Sequence, residues 1–163
     1  MEYLQLSKVY VNNIHNKAGT KAMGINSDGV VTLNHVPAFR VRQSTGANGF
    51  SANSKATWDT IDLNQGGHWD STNNRFIAPV NGIYFFSCIM LSNSGVRLFF
   101  NFLKNGTSVV GTRIETISSS GLYQTGTSTM TIDLDTNDYI EVTVGNGGGY
   151  GGNYANFSGY LVG

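Results

Sequence analysis

From Val36 onward, segments suited to β-strands return about every ten residues, closed off by glycine, asparagine or aspartate, and no stretch sustains a helical period of three to four. That rhythm restricts the chain to all-β folds, and among them to sandwiches. We read strands at residues 38–43, 57–63, 75–78, 83–91, 97–103, 109–116, 123–134, 139–144 and 156–162. Asn105-Gly106 fits a two-residue type I′ hairpin, because both positions tolerate positive φ. Pro79 to Gly82 fits a corner between two strands.

The strands differ in how many apolar faces they carry. In "TMTIDLD", Met130, Ile132 and Leu134 face a core while Thr131, Asp133 and Asp135 face water, and "YIEVTV" alternates likewise through Ile140, Val142 and Val144. Residues 83–91 instead put Ile83, Phe85 and Ile89 on one side and Tyr84, Phe86, Cys88 and Met90 on the other. "VRLFFNFL" and "NFSGYLV" are two-faced as well. Leaving several aromatics in water would forgo several kcal/mol of burial at roughly 25 cal/mol per Å2. The economical cover is a second copy of the chain, and a loop folded over the face is the alternative. We expect the Tyr84 and Phe86 face to meet neighbouring copies.

Composition removes several classes of function. The ten basic residues balance the ten acidic ones and only 12% of the chain is charged, so nothing draws it to nucleic acid or an anionic membrane. The longest nearly unbroken apolar run is about half a bilayer-spanning helix and follows no basic leader, which predicts a soluble chain without membrane insertion. A single cysteine excludes an internal disulfide. Residues 1–35 stand apart: short alternating pieces at Leu4, Leu6, Val9 and Val11 are cut by "NNIHNKAGTK" and by a hairpin at Asn26 to Gly29. They hold too few large apolar residues for a core, and would be stable only docked or wound with other copies.

"PAFRV", "WDTIDLNQGGHWDSTNNRFIAPVNGIYFFS", "LKNGT", "STMTIDLDTNDYIEVTV" and "FSGYLVG" resemble, in order and spacing, the globular-head domain of complement C1q, of the C1q/TNF-like superfamily. The resemblance spans about Pro37 to Gly163, and its most specific part is Phe76-x-x-Pro79-x-x-Gly82-x-Tyr84-x-Phe86. It implies a ten-stranded jelly roll assembled as a homotrimer, with Phe76, Pro79, Gly82, Tyr84, Phe86, Phe157, Gly159 and Leu161 structural, in the core or along the threefold interface; we expect Phe39, Phe99 and Tyr160 in the same core or interface set. No residue is catalytic in that family. Asn137-Asp138 stands where the family has Gly-Asp, and no collagen repeat precedes the head. "AMGINSDGVVTLNHVPAFRV" is instead similar to the stem-to-head junctions of tailed-phage fibres.

Three histidines lie far apart, with no ligand-spaced partner that would make a zinc site. Cys88 inside an apolar strand reads as a small hydrophobe. Asp133 and Asp135, roughly 7 Å apart on one strand face, have the separation of a glycosidase pair, but their position opposite an apolar face reads as solvation. With Asp138 they are the candidate ligands for calcium, the only cofactor with any candidate residues. "GNGGGYGGNYANF" reads first as a permissive loop linking the last two strands; its functional alternative is a recognition loop, with Tyr150, Asn153 and Tyr154 as contact residues on an adaptable glycine and asparagine backbone. "SSSGLYQTG", centred on Tyr123, is a second candidate.

The sequence therefore predicts a C1q-like head at 36–163 on a β-rich stem at 1–35, without catalytic residues. Its expected role is a virion receptor-binding head of a phage fibre, attaching multivalently to a host-surface glycan or protein. A cellular or secreted C1q-domain lectin or adaptor is the alternative, and a glycan-cleaving enzyme is the reading to exclude.

Overall fold

The computed structural model describes residues 11–33 and 35–163 of the 163, and the alternation at Leu4, Leu6 and Val9 lies outside them. The chain divides into two compact units between Val36 and Pro37. Among the described residues there is no helix, hence none long and apolar enough to cross a membrane.

The first unit is a three-stranded antiparallel sheet of β1 (Asn13–His15), β2 (Lys21–Ile25) and β3 (Val31–Thr32). The expected hairpin joins the last two: Gly29 has φ +78°, and the Asn26 carboxamide oxygen accepts from the amides of Asp28 at 3.0 Å and Val30 at 2.8 Å. Among its described residues only Gly24 is buried. Val11, Ile14, Val30, Val31 and Leu33 stay exposed, so this sheet has no core of its own.

The second unit contains β4 (Ala38–Gln43), β5 (Ser54–Lys55), β6 (Thr60–Gln65), β7 (Trp69–Asp70), β8 (Arg75–Ile77), β9 (Gly82–Ser92), β10 (Arg97–Lys104), β11 (Thr107–Ser108), β12 (Ile114–Ile117), β13 (Thr125–Leu134), β14 (Tyr139–Val144), β15 (Gly149–Tyr150) and β16 (Ala155–Leu161). They form two antiparallel sheets. The seven-stranded sheet runs β11-β10-β14-β8-β7 with β12 and β5 alongside, and the six-stranded sheet runs β13-β9-β16-β4-β6 with β15 on β9. Four of these strands are two-residue ladders, and the other nine match the nine segments read from the sequence, displaced by a few residues. The segment at 109–116 is the poorest match. Only Ile114 to Thr116 of it lie in a strand, β12; β11 ends before it at Ser108, and the chain turns between them at Gly111, which has φ +82°.

The two sheets meet across an aromatic core. Tyr84, Phe86, Cys88 and Met90 of β9 are fully buried, facing Leu98, Phe100 and Phe102 of β10 and Ile140, Val142 and Val144 of β14. Phe157 lies 5.8 Å from Phe102 and 4.8 Å from Phe39, whose ring stacks on Trp69 at 5.1 Å and Phe76 at 5.0 Å. This corrects the face assignment. The Tyr84 and Phe86 side lies inside the protomer, because it carries the larger rings needed to fill the space between the sheets. Tyr84 also donates to the Val80 carbonyl at 2.8 Å, so its hydroxyl is satisfied without leaving the core.

Of the residues assigned to core or interface, Phe39, Tyr84, Phe86 and Phe157 are core, and Leu161 packs partly buried against it. Phe99 is half-buried on the outer face of the seven-stranded sheet, where the Arg113 guanidinium lies 3.8 Å from its ring centroid. Tyr160 is 48% exposed on the outer face of the six-stranded sheet, 5.5 Å from Phe85. Ile83 lies on this face too, at 40% exposure. The expected alternation fails at Glu141, which is buried rather than solvated. The β5 ladder covers it and brings the Lys55 ammonium within 2.6 Å of its carboxylate.

Candidate functional site

β9 has eleven residues, and at about 3.3 Å per residue its ends lie roughly 30 Å apart. The chain enters the second unit beside its first residues: the Pro37 carbonyl accepts from the Leu161 amide at 3.0 Å, and the Gly163 carbonyl from the Ile83 amide at 2.8 Å. The far end of β9, Leu91 and Ser92, holds both candidate recognition loops. Gly149 and Tyr150 pair with Ser92 and Leu91 on one side, and Thr125 pairs with Leu91 on the other. The Gln124 amide donates to the Ser92 hydroxyl at 3.1 Å, while the Ser92 amide donates to the Gln124 carbonyl at 2.9 Å.

Two loops that looked independent in sequence therefore deliver their tyrosines to one place. Tyr123 meets Tyr150 edge to face at 5.4 Å, and Tyr154 lies 6.0 Å from Tyr150 on its other flank. With Leu91 as floor they line an open cleft of about 250 Å3. Tyr123 and Tyr154 are 53% and 64% exposed. Asn153 is not in the lining. It turns the chain at φ +69° and its carboxamide oxygen accepts from Arg42.

The glycine-rich segment does not behave as an adaptable loop. Its backbone is pinned to the 43–50 loop: the Gly151 amide donates to the Gly46 carbonyl at 3.0 Å, Asn153 to Gln43 at 2.9 Å, and Phe50 and Gly149 exchange bonds at 3.1 and 3.2 Å. Its glycines serve close approach instead. A β-carbon on Gly151 would lie 2.1 Å from the Thr45 carbonyl oxygen. The tyrosines are presented from a preorganised frame, which lowers the ordering cost of binding. Leu91 and the 43–50 loop were not found as site components from sequence, although the alternation of β9 does put Leu91 on the outer face.

The calcium candidates lie at the other end, where β13 turns into β14 near the chain's point of arrival. The Asp138 carboxylate is already occupied: Lys104 lies 2.8 Å away, Asn105 donates at 2.6 Å and the Asp135 amide at 2.9 Å. Lys104 and Asn105 hold its pKa down at about 2. Asp133 and Asp135 are exposed, and among the described residues no three His, Cys, Asp or Glu side chains gather as a metal cage. Burial drives the Cys88 thiol well above its ordinary value, consistent with an inert core residue.

A sequence model of the C1q domain matches residues 38–162. The chain belongs to the C1q domain family. Mouse complement C1q tumor necrosis factor-related protein 3 is 27% identical over 113 residues, covering 68% of this chain and 45% of the relative. Rat complement C1q tumor necrosis factor-related protein 6 is 32% identical over 76 residues, covering 47% and 29%. The chain thus matches less than half the length of these curated relatives. The globular domain of zebrafish complement 1qA superposes with a TM-score of 0.62 at 16% identity, covering 77% of this chain and 97% of the other. Murine APRIL superposes with a TM-score of 0.61 at 12% identity, covering 78% and 99%. The sandwich of this C1q domain is therefore the C1q/TNF jelly roll. The named relatives are animal proteins.

Proposed function

We propose that this C1q domain is an extracellular, non-catalytic binding module that works as a homotrimer and engages its ligand through the tyrosine cleft. The observation that carries the reading is the convergence of Tyr123, Tyr150 and Tyr154 at the end of the jelly roll opposite the point where the chain enters. A surface so placed lies at the far end of β9 from the chain's entry into this unit. The part of the outer face of the six-stranded sheet around Ile83, Phe85 and Tyr160, at the end of β9 away from Leu91 and the cleft, is the surface we assign to the threefold contact, and residues 1–35 are the stem. Three equivalent clefts convert weak single contacts into avidity on a dense surface. A viral fibre would use the head in the same way, but the animal relatives favour a cellular module acting as lectin or adaptor.

The test is binding of the labelled full chain to cell surfaces, read beside its melting temperature. Tyr150→Ala with Tyr154→Ala is expected to reduce binding at least tenfold with melting unchanged; unchanged binding would move the site elsewhere. Light scattering of the wild type is expected to give three chains per particle, and a monomer would overturn the assembly. Release of reducing ends from polysaccharide, abolished by Asp133→Asn, would reverse the non-catalytic assignment.

A further inference from the structure

Tyr123 has a hollow on each side. Beyond the tyrosine cleft, on its opposite flank, a second open cleft of about 230 Å3 is lined by Ile117, Ser118, Ser119, Leu122, Tyr123 and Gln124. The two clefts are of nearly equal volume. The loop carrying this second cleft is fixed as firmly as the first. The Ser118 hydroxyl accepts from the Val96 amide at 3.0 Å and donates to the Asn93 carbonyl at 2.9 Å. The Gly121 amide donates to the Ser94 hydroxyl at 2.8 Å, and the Gln124 carboxamide oxygen accepts from the Ile117 amide at 3.0 Å. Ile117 and Leu122 nevertheless remain 69% and 61% exposed. A rigid frame is holding apolar side chains in water.

We infer that the two clefts are adjacent subsites for consecutive rings of an uncharged oligosaccharide lying across Tyr123. The inference rests on the tyrosine cleft being the ligand surface and names the chemistry of what occupies it. Neither lining contains a charged side chain, so a sulfated or sialylated glycan, or an acidic or basic peptide, would find no partner for its charge. The rings of Tyr123, Tyr150 and Tyr154 offer apolar faces and edges to the C–H faces of a pyranose, with phenol hydroxyls to meet its rim. The second cleft is more polar, with Ser119 and Gln124 suited to hydroxyls. The two clefts together draw on nine residues sharing one tyrosine, and the weak single-site affinity of a short neutral glycan is what trimeric avidity amplifies.

The experiment is saturation-transfer NMR on the full chain with lactose, cellobiose and N,N′-diacetylchitobiose as neutral probes, glucose and N-acetylglucosamine as single rings, and sialyllactose as the charged control. At concentrations that fill a millimolar site, at least one neutral disaccharide is expected to take saturation on its ring C–H protons, with no dependence on salt. Tyr150→Ala with Tyr154→Ala is expected to lower that saturation at least tenfold, while Tyr150→Phe retains most of it. Leu122→Ala, at an exposed position that leaves the fold intact, is expected to weaken the disaccharide and spare the single ring; equal loss of both would overturn the two-subsite arrangement. Absence of saturation on every neutral probe, or preference for sialyllactose that salt removes, would overturn the inference. Enzymatic removal of cell-surface glycans separates the two levels of the argument. If binding to cells requires Tyr150 and Tyr154 but survives deglycosylation and is lost to protease, the cleft stands as the ligand surface, its partner is a protein, and the sugar inference falls.

Discussion

At Gly147 the backbone has φ +73°, and a β-carbon there would sit 1.6 Å from the Arg97 carbonyl oxygen. Both the dihedral and the contact exclude any other residue. Gly147→Ala is expected to destabilise the domain by at least ~2 kcal/mol and to loosen the tyrosine cleft, read as a lower urea midpoint together with weaker binding. Composition showed that the segment was unusual without showing why: a run of glycines is compatible with mobility and with tight packing, and only the neighbouring Arg97 and Thr45 carbonyls distinguish the two. Asp138 gives a second test at this scale. Its pKa falls from 3.8 to about 2 in the folded state, so the proton binds the unfolded chain more readily. Its contribution is fully present above about pH 4 and is lost as pH falls through about 2. For a partly exposed pair this is worth about 1 kcal/mol after solvent screening. Asp138→Asn is expected to flatten that part of the acid limb in urea titrations between about pH 5 and pH 2. A limb unchanged by the substitution would place the acid sensitivity in other carboxylates.

Among the elements, β9 does the most to organise the molecule. Its inner face fills the core, its far end carries both tyrosine loops, and its outer face offers Ile83 and Phe85 to whatever covers the sheet. Its two-faced pattern was legible in the sequence, since period-two alternation is local. The choice of inner face was not, because that depends on which set of side chains fills the gap opposite β10 and β14. Phe85→Asp is expected to leave the protomer folded, since the core face is untouched, and to reduce the light-scattering mass from three chains to one. Retained trimers would place the threefold contact on another face. Met90→Asp, on the same strand but in the core, is expected to unfold the domain, which separates the two faces experimentally. The 109–116 segment was misread for the complementary reason. Val109, Val110 and Ile114 are suited to a strand, but Thr112 turns inward, accepting from the Phe102 amide at 3.2 Å and donating to the Val109 carbonyl at 2.8 Å, and that turn keeps the stretch before Ile114 out of the ladder.

For the whole molecule, the first unit has strands and turns but leaves Val11, Ile14, Val30, Val31 and Leu33 exposed among its described residues, whereas the second has a continuous aromatic core. Removing residues 1–36 is expected to leave a folded trimeric head with unchanged melting; aggregation would show that the head depends on them. The sequence by itself determined the all-β class, nearly every long strand, the hairpins at Asn26–Gly29 and Asn105-Gly106, and the kinship of 38–162 with the C1q domain. Those features rest on local periodicity and on residue types that turns require. Tertiary structure decided which face of β9 is inside, why Glu141 is buried, that Asp138 is spent on a turn, and that Tyr123 meets Tyr150. Each of these depends on strands far apart in sequence being paired side by side, which no local pattern encodes.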